Sequence, residues 1–381
     1  MMRGVFVKSC GASDMRDMNR NSVFRYIASQ HEVSRPMIAQ FTGISSPTVL
    51  KIVNFLIEEE LAVEHGERSG TVGRKPQMLR FNKERYFAIG AVLEGMYLRA
   101  GIVNLAGEIV CSASVEAEGG LGEIMTSGVP SLVDHLVEKS GIARDRLLGI
   151  GLGLPCSYDR ERHIANFAPL IGVNDSLCVL DLEQELSRRA GMPLIVDNDV
   201  NMAVLGEYNA RGLKGQDFAY VSIGTGLGAG IILDGKLRHG TSAQCGEIGY
   251  MTFENNYVAS LNNAGWLEKS INLGALKQRF GFTLNETSKE VVERVAEYLA
   301  SYVALCITNF AAIIDCGTVC LGGVLPEKLG DALYKRVREQ LDIICAIKID
   351  LQEPILQDAG IVGGSLLIIE RELERILGKQ R

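Results

Sequence analysis

Two stretches of this chain share one pattern. Phe87-Ala88-Ile89 through Gly101-Ile102-Val103-Asn104 and Phe218-Ala219-Tyr220 through Gly230-Ile231-Ile232-Leu233 each run strand, glycine-containing turn, strand. A further glycine turn follows each, at Gly107 and Gly235. Self-similarity of this kind means that one supersecondary unit is used twice. From Tyr86 onward short apolar strands also alternate with helical patterns, so the body is expected to be α/β, with two similar lobes and a cleft between them. In the helical pattern from Glu290 to Phe310, the spacing of Val292, Val295, Leu299, Val303, Ile307 and Phe310 predicts a core or dimer-contact face. No apolar run approaches the roughly 18 residues that span a bilayer, and Met1 to Met18 lacks the apolar core of a signal peptide; a cytoplasmic protein without a membrane partner is expected.

Before the repeat the texture differs. Val23, Phe24 and Ile27 lie on one face of a first helical pattern. A second starts after Ser34 and carries Ile38, Ala39 and Phe41 until Gly43 stops it. The third opens with Ser46 as N-cap and Pro47 in the first turn, and Val49, Ile52, Val53 and Leu56 form its apolar stripe. Its other face carries Thr48 and Lys51, short polar and basic side chains of the kind that reach base edges and phosphates in a major groove. Leu61 to His65 and Met78 to Phe81 then read as two strands joined by a glycine-rich tip containing Arg68, Arg74 and Lys75. That combination predicts a winged helix-turn-helix with double-stranded DNA as its partner. The competing reading is a helical pair used only for packing, with a solvated basic loop.

Charge is distributed to match. The chain carries a net charge of −7 over 381 residues, but residues 1–82 sum to +3 and the remainder to −10. A basic end on an acidic body suits nucleic acid at one end only. The nine cysteines are scattered and odd in number, as expected of reduced thiols rather than a disulfide framework, and no CxxC pair suggests a structural zinc site. Cys316 and Cys320 read as core packing.

The order of winged helix, Val92-Leu93-Glu94-Gly95-Met96, Asp197-Asn198-Asp199-Val200-Asn201, Gly224-Thr225-Gly226-Leu227-Gly228-Ala229-Gly230 and Gly246-Glu247-Ile248-Gly249 resembles the ROK family (repressor, open reading frame, kinase). The resemblance runs from about Asn19 to nearly the end of the chain. It implies an actin-like, hexokinase-like ATPase fold that holds a sugar between its lobes and, behind a winged helix, a sugar-responsive repressor of carbohydrate genes. The expected organisation is a DNA-binding domain over 1–82, a first lobe over 83–195 completed by a C-terminal helix over 365–381, and a second lobe over 196–364. Palindromic operators are read by two-fold symmetric proteins, so at least a homodimer is expected.

Residue by residue, the resemblance implies a split site. The family's first phosphate loop resembles Asp-x-Gly-Gly-Thr, whereas here Val92 replaces the carboxylate, Met96 replaces the hydroxyl, and Glu94 sets a negative charge against a polyphosphate. Phosphoryl transfer rests on positioning and on charge neutralisation, so no catalytic residues, no nucleotide cofactor and no kinase turnover are expected. Gly224, Thr225 and Gly226 are a phosphate-loop remnant, read equally well as a tight strand connection. The sugar end survives: Asn198 and Asp199 match the sugar-contacting pair, Glu247 the Gly-Glu-x-Gly contact, and Glu268 a second acidic contact. Tyr250 stands where zinc-bearing members have a histidine, and no cysteine or histidine occurs from Tyr250 to Ala264, so no metal is expected. By the same analogy His163 and Asn166 approach the sugar, against the plainer reading of solvated loop residues. The rival functions are an active ATP-dependent sugar kinase, and a constitutive DNA-binding protein whose body is only a dimerisation scaffold.

Overall fold

A computed structural model describes residues 12–67, 77–117, 119–168, 173–258, 264–285 and 287–378. Two compact units result. The first gathers the described residues up to Phe87, the short segment Asn104–Ala106, and the end of the last helix from Ile369. The second holds the rest.

In the first unit, helices Ala12–Ala28, Arg35–Thr42 and Ser46–Glu58 precede the antiparallel strands Ala62–Glu67 and Gln77–Phe81. A two-residue strand, Val33–Ser34, pairs with Gln77–Phe81 and completes a three-stranded sheet. Val23, Ile27, Ile38, Val49, Val53 and Leu56 are fully buried, so the stripes read from helical spacing do form one core. Three positions differ from expectation. Ser45, not Ser46, is the N-cap of the third helix, because its backbone is the last extended one, and Pro47 falls in the first turn. Phe41 is 69% exposed and stacks on Tyr26 at 4.1 Å instead of entering the core. The last helix, Ala359–Leu377, lends its end to this unit: Arg20 donates to the Leu377 carbonyl at 2.8 Å, and Arg25 pairs with Glu370 at 3.1 Å.

The second unit contains two five-stranded sheets. In one the order is Leu194–Asn198, Leu147–Leu154, Phe87–Glu94, Tyr97–Asn104, Ile109–Glu116. In the other it is Lys236–Leu237, Leu227–Leu233, Phe218–Ile223, Thr318–Gly322, Asp350–Gln352. Each sheet sets a repeat hairpin beside a later strand, so the sequence repeat is a repeat of topology. Leu194–Asn198 runs parallel to Leu147–Leu154, and Phe218–Ile223 parallel to Thr318–Gly322. A small antiparallel sheet, Ser157–Asp159, Ile164–Ala168 and Val173–Cys178, is added after Leu154.

The first part of helix Ala359–Leu377 packs closely on the first sheet. A Cβ on Gly151 would meet the Gly364 carbonyl oxygen at 2.0 Å, so only glycine allows that approach. Helix Lys289–Ile314 is, by length and composition, apolar enough to cross a bilayer, which corrects the expectation that no such run exists. In this fold Val295, Leu299, Val303, Ile307 and Phe310 of that helix are buried in the core of the second lobe with Leu333 and Val337. Cys316 and Cys320 are fully buried, as read from sequence, whereas Cys178 is exposed.

Candidate functional site

The site is built where parallel strands end and a helix begins. Strand Leu194–Asn198 passes directly into helix Asp199–Ala210, and Asn198 is its N-cap. Its side-chain oxygen accepts the Val200 and Asn201 N–H groups at 2.9 and 3.0 Å, while its amide nitrogen donates to the Cys156 carbonyl at 3.0 Å. A residue predicted as a sugar contact is thus first a cap, with one amide proton left over. Its neighbour Asp197 is completely buried. Asp197 accepts from its own chain at Asn198 N–H, from the Asn201 amide at 3.0 Å, from His239 Nε2 at 3.0 Å and from Arg160. Burial alone would raise this carboxyl, but the His239 hydrogen bond, the Arg160 charge and the Asn201 amide outweigh it and hold it below the usual range.

Asp199 behaves oppositely, with no cation among the causes of its shift. Burial is the main cause that pushes its carboxyl up to about 8, followed by the charges of Glu94 and Glu247. Its side chain accepts the Val200 N–H at 2.9 Å.

Glycines bring the remaining carboxylates in. Gly246 has a φ of +93°, and a Cβ there would lie 1.8 Å from the Ala229 carbonyl oxygen, so the loop can lie against strand Leu227–Leu233 only as glycine. Glu247 follows immediately and then a short turn, Ile248–Tyr250. A Cβ on Gly265 would strike the Gly249 carbonyl oxygen at 2.2 Å; its absence lets helix Trp266–Ile271 begin against that turn and presents Glu268 in its first turn. Burial, then Glu268, push Glu247 up to about 7. Burial likewise raises Glu268, against the Leu227 N–H it accepts and the nearby Lys269. Tyr250 is 39% exposed, and after burial its phenol is raised by Glu247 and Glu268. The buried Cys156 thiol is raised by burial and then by Asp199, Glu247 and Asp197.

Asp199, Glu247, Glu268 and Tyr250, drawn from separate stretches of sequence, therefore share one electrostatic neighbourhood with Cys156. Such a set accepts hydroxyl hydrogen bonds and, with its carboxyl groups raised, keeps protons to donate. His163 and Asn166 have other partners. His163 Nδ1 lies 2.8 Å from Glu183, whose carboxyl burial pushes up to about 7, and Asn166 accepts from Ser176 across a hairpin. His163 is therefore paired with Glu183 and is not the plainly solvated loop residue of the alternative reading.

At the nucleotide end, Val92 is 8% exposed and packs with Val103 and Ile361. Glu94 accepts from Arg99 at 3.3 Å, and Arg99 also binds Asp358. The ATP and Mg²⁺ that the fold implies do not fit these residues: the metal-side carboxylate is a core valine, and the guanidinium that a phosphate would need is held by two carboxylates. In the second loop the Gly224 N–H donates to the Gly226 carbonyl at 2.9 Å and the Gly224 carbonyl accepts from Leu273, so the turn uses part of its own backbone polarity; Thr225 borders the cleft. Among the described residues no group of three or more His, Cys, Asp or Glu is placed to hold a metal ion.

On the third helix Ser46, Leu50, Lys51 and Asn54 are exposed on one side, while Thr48 is half-buried and its hydroxyl lies 2.9 Å from that of Ser45. Arg68, Arg74 and Lys75 lie outside the described residues. Sequence reading missed Asp197 as the anchor, with Arg160, His239 and Cys156 around it. Only Asp197 carried a signal, as the first residue of Asp197-Asn198-Asp199; the others are distant in sequence.

These features define a class: a winged helix preceding a two-lobed, hexokinase-like α/β body. The chain belongs to the ROK family, whose model matches residues 89–371. The xylose repressor of Bacillus subtilis (strain 168) is 28% identical over 256 residues, which cover 67% of this chain and 65% of that repressor. The match thus spans just under two thirds of that relative's length. Among solved structures, a ROK family transcriptional regulator described as a homolog of the E. coli MLC protein aligns with a TM-score of 0.74 at 20% identity, covering 95% of this chain and 98% of that one. A ROK family glucokinase from Streptomyces griseus in complex with glucose and AMPPNP aligns at 0.62 and 23% identity over 74% of this chain and 99% of its own. The two structures support the fold.

Proposed function

We propose that this protein is a cytoplasmic, homodimeric repressor of carbohydrate genes that binds a double-stranded DNA operator through its winged helix and senses a neutral sugar without phosphorylating it. The observation that carries this reading is the convergence of Asp199, Glu247, Glu268 and Tyr250 next to a nucleotide end where Arg99 is already paired with Glu94 and Asp358. Hydrogen-bonding carboxylates are kept where a polyol would lie, and charge opposes a polyphosphate where ATP would lie. A neutral sugar suits the cluster better than a phosphosugar or uronate, because Glu268 already raises the proton affinity of Glu247, and Glu247 that of Asp199. The named relatives include xylose repressors, so xylose belongs among the first sugars tried.

Sugar binding regulates DNA affinity only if it favours one arrangement of the protein, typically by about 1–3 kcal/mol of coupling. The test is a thermal-shift screen of neutral sugars, sugar phosphates and ATP with Mg²⁺, followed by operator binding with and without the hit. A shift with one neutral sugar that is lost in Glu268→Gln, and that changes operator affinity, supports the reading. A shift with ATP and Mg²⁺ together with turnover in a coupled assay would establish the kinase instead. Silence across the sugars would leave the body as a scaffold.

A further inference from the structure

The space at the nucleotide end is not filled by the changes that disable it. A cleft of about 860 Å³ remains, within the usual range for small-molecule sites, bordered by the first hairpin, the Gly323 turn and the segment from Glu353 to Ile361. One wall is apolar, with Leu284, Val324, Pro326 and Tyr334. Carboxylates border the rest: Glu94, Asp199, Glu327, Glu353 and Asp358. Arg99 is the only cationic side chain among the described residues lining it, and it is shared between Glu94 and Asp358, leaving that trio net negative. Glu353 has a partner outside the lining in Arg338, at 3.4 Å.

A second, independent feature points to a ligand. Tyr220 borders the cleft and is only 7% exposed, and no side-chain hydrogen bond within the described residues engages its hydroxyl, which is left to the cleft. Its neighbour Gly322 could carry no side chain, since a Cβ would lie 2.1 Å from that hydroxyl. A hydroxyl on an otherwise buried ring that opens only to a cavity is free to bond a ligand atom that enters there.

We propose that this cleft is a second ligand site that takes a small organic cation, an amine carried on a flat apolar body, in place of a nucleotide. The ammonium adds the positive charge that Glu94 and Asp358 lack, the apolar body lies along Val324, Pro326 and Tyr334, and Tyr220 supplies a hydroxyl contact. Amines are drawn to such a pocket by carboxylates and by aromatic faces together. The same walls repel a polyphosphate.

The cleft shares Asp199 with the sugar cluster but is not lined by Glu247 or Glu268, and its test uses residues that the two do not share. Calorimetric titration of the full chain would use tryptamine, indole-3-propionate as the anionic match for its ring, and AMPPNP with Mg²⁺. Tryptamine is expected to bind, with the two anions at least about tenfold weaker, the equivalent of about 1.4 kcal/mol. Glu94→Gln should weaken tryptamine by about tenfold and Tyr220→Phe by about threefold, with each variant's melting curve confirming the fold. Glu268→Gln should leave tryptamine binding unchanged. Equal binding of the two indoles, no binding of tryptamine, indifference to Glu94→Gln, or preference for AMPPNP would each overturn the proposal. Tryptamine binding in a protein silent to every sugar would overturn the sugar-sensor reading alone.

Discussion

The side-chain amide of Asn198 donates to the backbone carbonyl of Cys156 at 3.0 Å while its oxygen caps the helix that begins at Asp199. One side chain thereby joins two strand ends and sets the direction of the helix beneath the sugar cluster. Asn198→Ala removes the cap and the strand-to-strand bond together, and should cost about 1–3 kcal/mol in urea unfolding. Asn198→Asp keeps a cap acceptor but turns a donor into a charge beside Asp197 and leaves the Cys156 carbonyl unpaired. It should be no more stable than the alanine variant at pH 7; a wild-type melting point in Asn198→Asp would show that the amide proton does not matter.

Carboxyl groups with raised proton affinity make stability depend on pH in a stated direction. Asp199 and Glu247 sit at about 8 and about 7 in the folded protein, above the ordinary values of 3.8 and 4.5. The folded state then holds more protons than the unfolded one between those limits, so their contribution is fully present below about pH 4 and is lost as pH rises through 7 and 8. Asp197, held low, acts in the opposite sense: its contribution is present above the ordinary carboxylate value and is lost as acid protonates it. The melting temperature should fall from pH 5.5 to pH 8.5, and Asp199→Asn should flatten that fall.

Gly246→Ala places a methyl group on a carbonyl oxygen and demands a left-handed backbone of alanine. A loss of about 1–3 kcal/mol or more is expected from the strain alone. The sugar-induced shift in melting temperature should disappear, because Glu247 is the next residue, while far-ultraviolet circular dichroism keeps its helical signal. An unaltered sugar response would show that the loop has another way to place Glu247.

Restoring the letters of the first phosphate loop should not restore a kinase. Val92 is packed against Val103 and Ile361, so Val92→Asp buries a carboxylate at a cost of at least about 2 kcal/mol, and Arg99 stays paired with Asp358. The double variant Val92→Asp with Met96→Thr is expected to melt earlier and to release no ADP with any sugar. ADP release would mean that the loop alone decided activity.

Lys51 is exposed near the start of the third helix, beside exposed Ser46. Fluorescence anisotropy with an operator duplex should show that Lys51→Ala weakens binding to specific and random DNA alike and lowers the slope of log affinity against log salt by about one. A loss confined to one operator sequence would make Lys51 a base reader instead of a phosphate contact.

Periodicity was sufficient for the N-terminal helices because their stripes bury in one simple core; Val49, Val53 and Leu56 behave as their spacing demands. It failed at Phe41, where a neighbouring tyrosine offered a ring to stack on outside the core. The cap of the third helix shifted by one residue because Ser45 and Ser46 are chemically equivalent and only the backbone angle separates them. His163 was ambiguous for a related reason: its partner Glu183 lies 20 positions away on another element, and no local pattern announces such a pairing.

By itself the sequence determined the twofold hairpin repeat, the winged-helix order and the chemical types held at the site, since these follow from periodicity, glycine placement and local motif. It also carried the expectation that Val92, Glu94 and Met96 oppose phosphoryl transfer, because that expectation depends on residue type alone. Only the tertiary structure decided that Asp197 is anchored by Arg160 and His239, that Asn198 spends its side chain on capping, and that Arg99 joins Glu94 to Asp358. Those outcomes depend on which side chains, separated by tens or hundreds of residues, are desolvated together. The same burial raises Asp199 where no cation faces it and lowers Asp197 where two do, although the two aspartates are separated by a single residue.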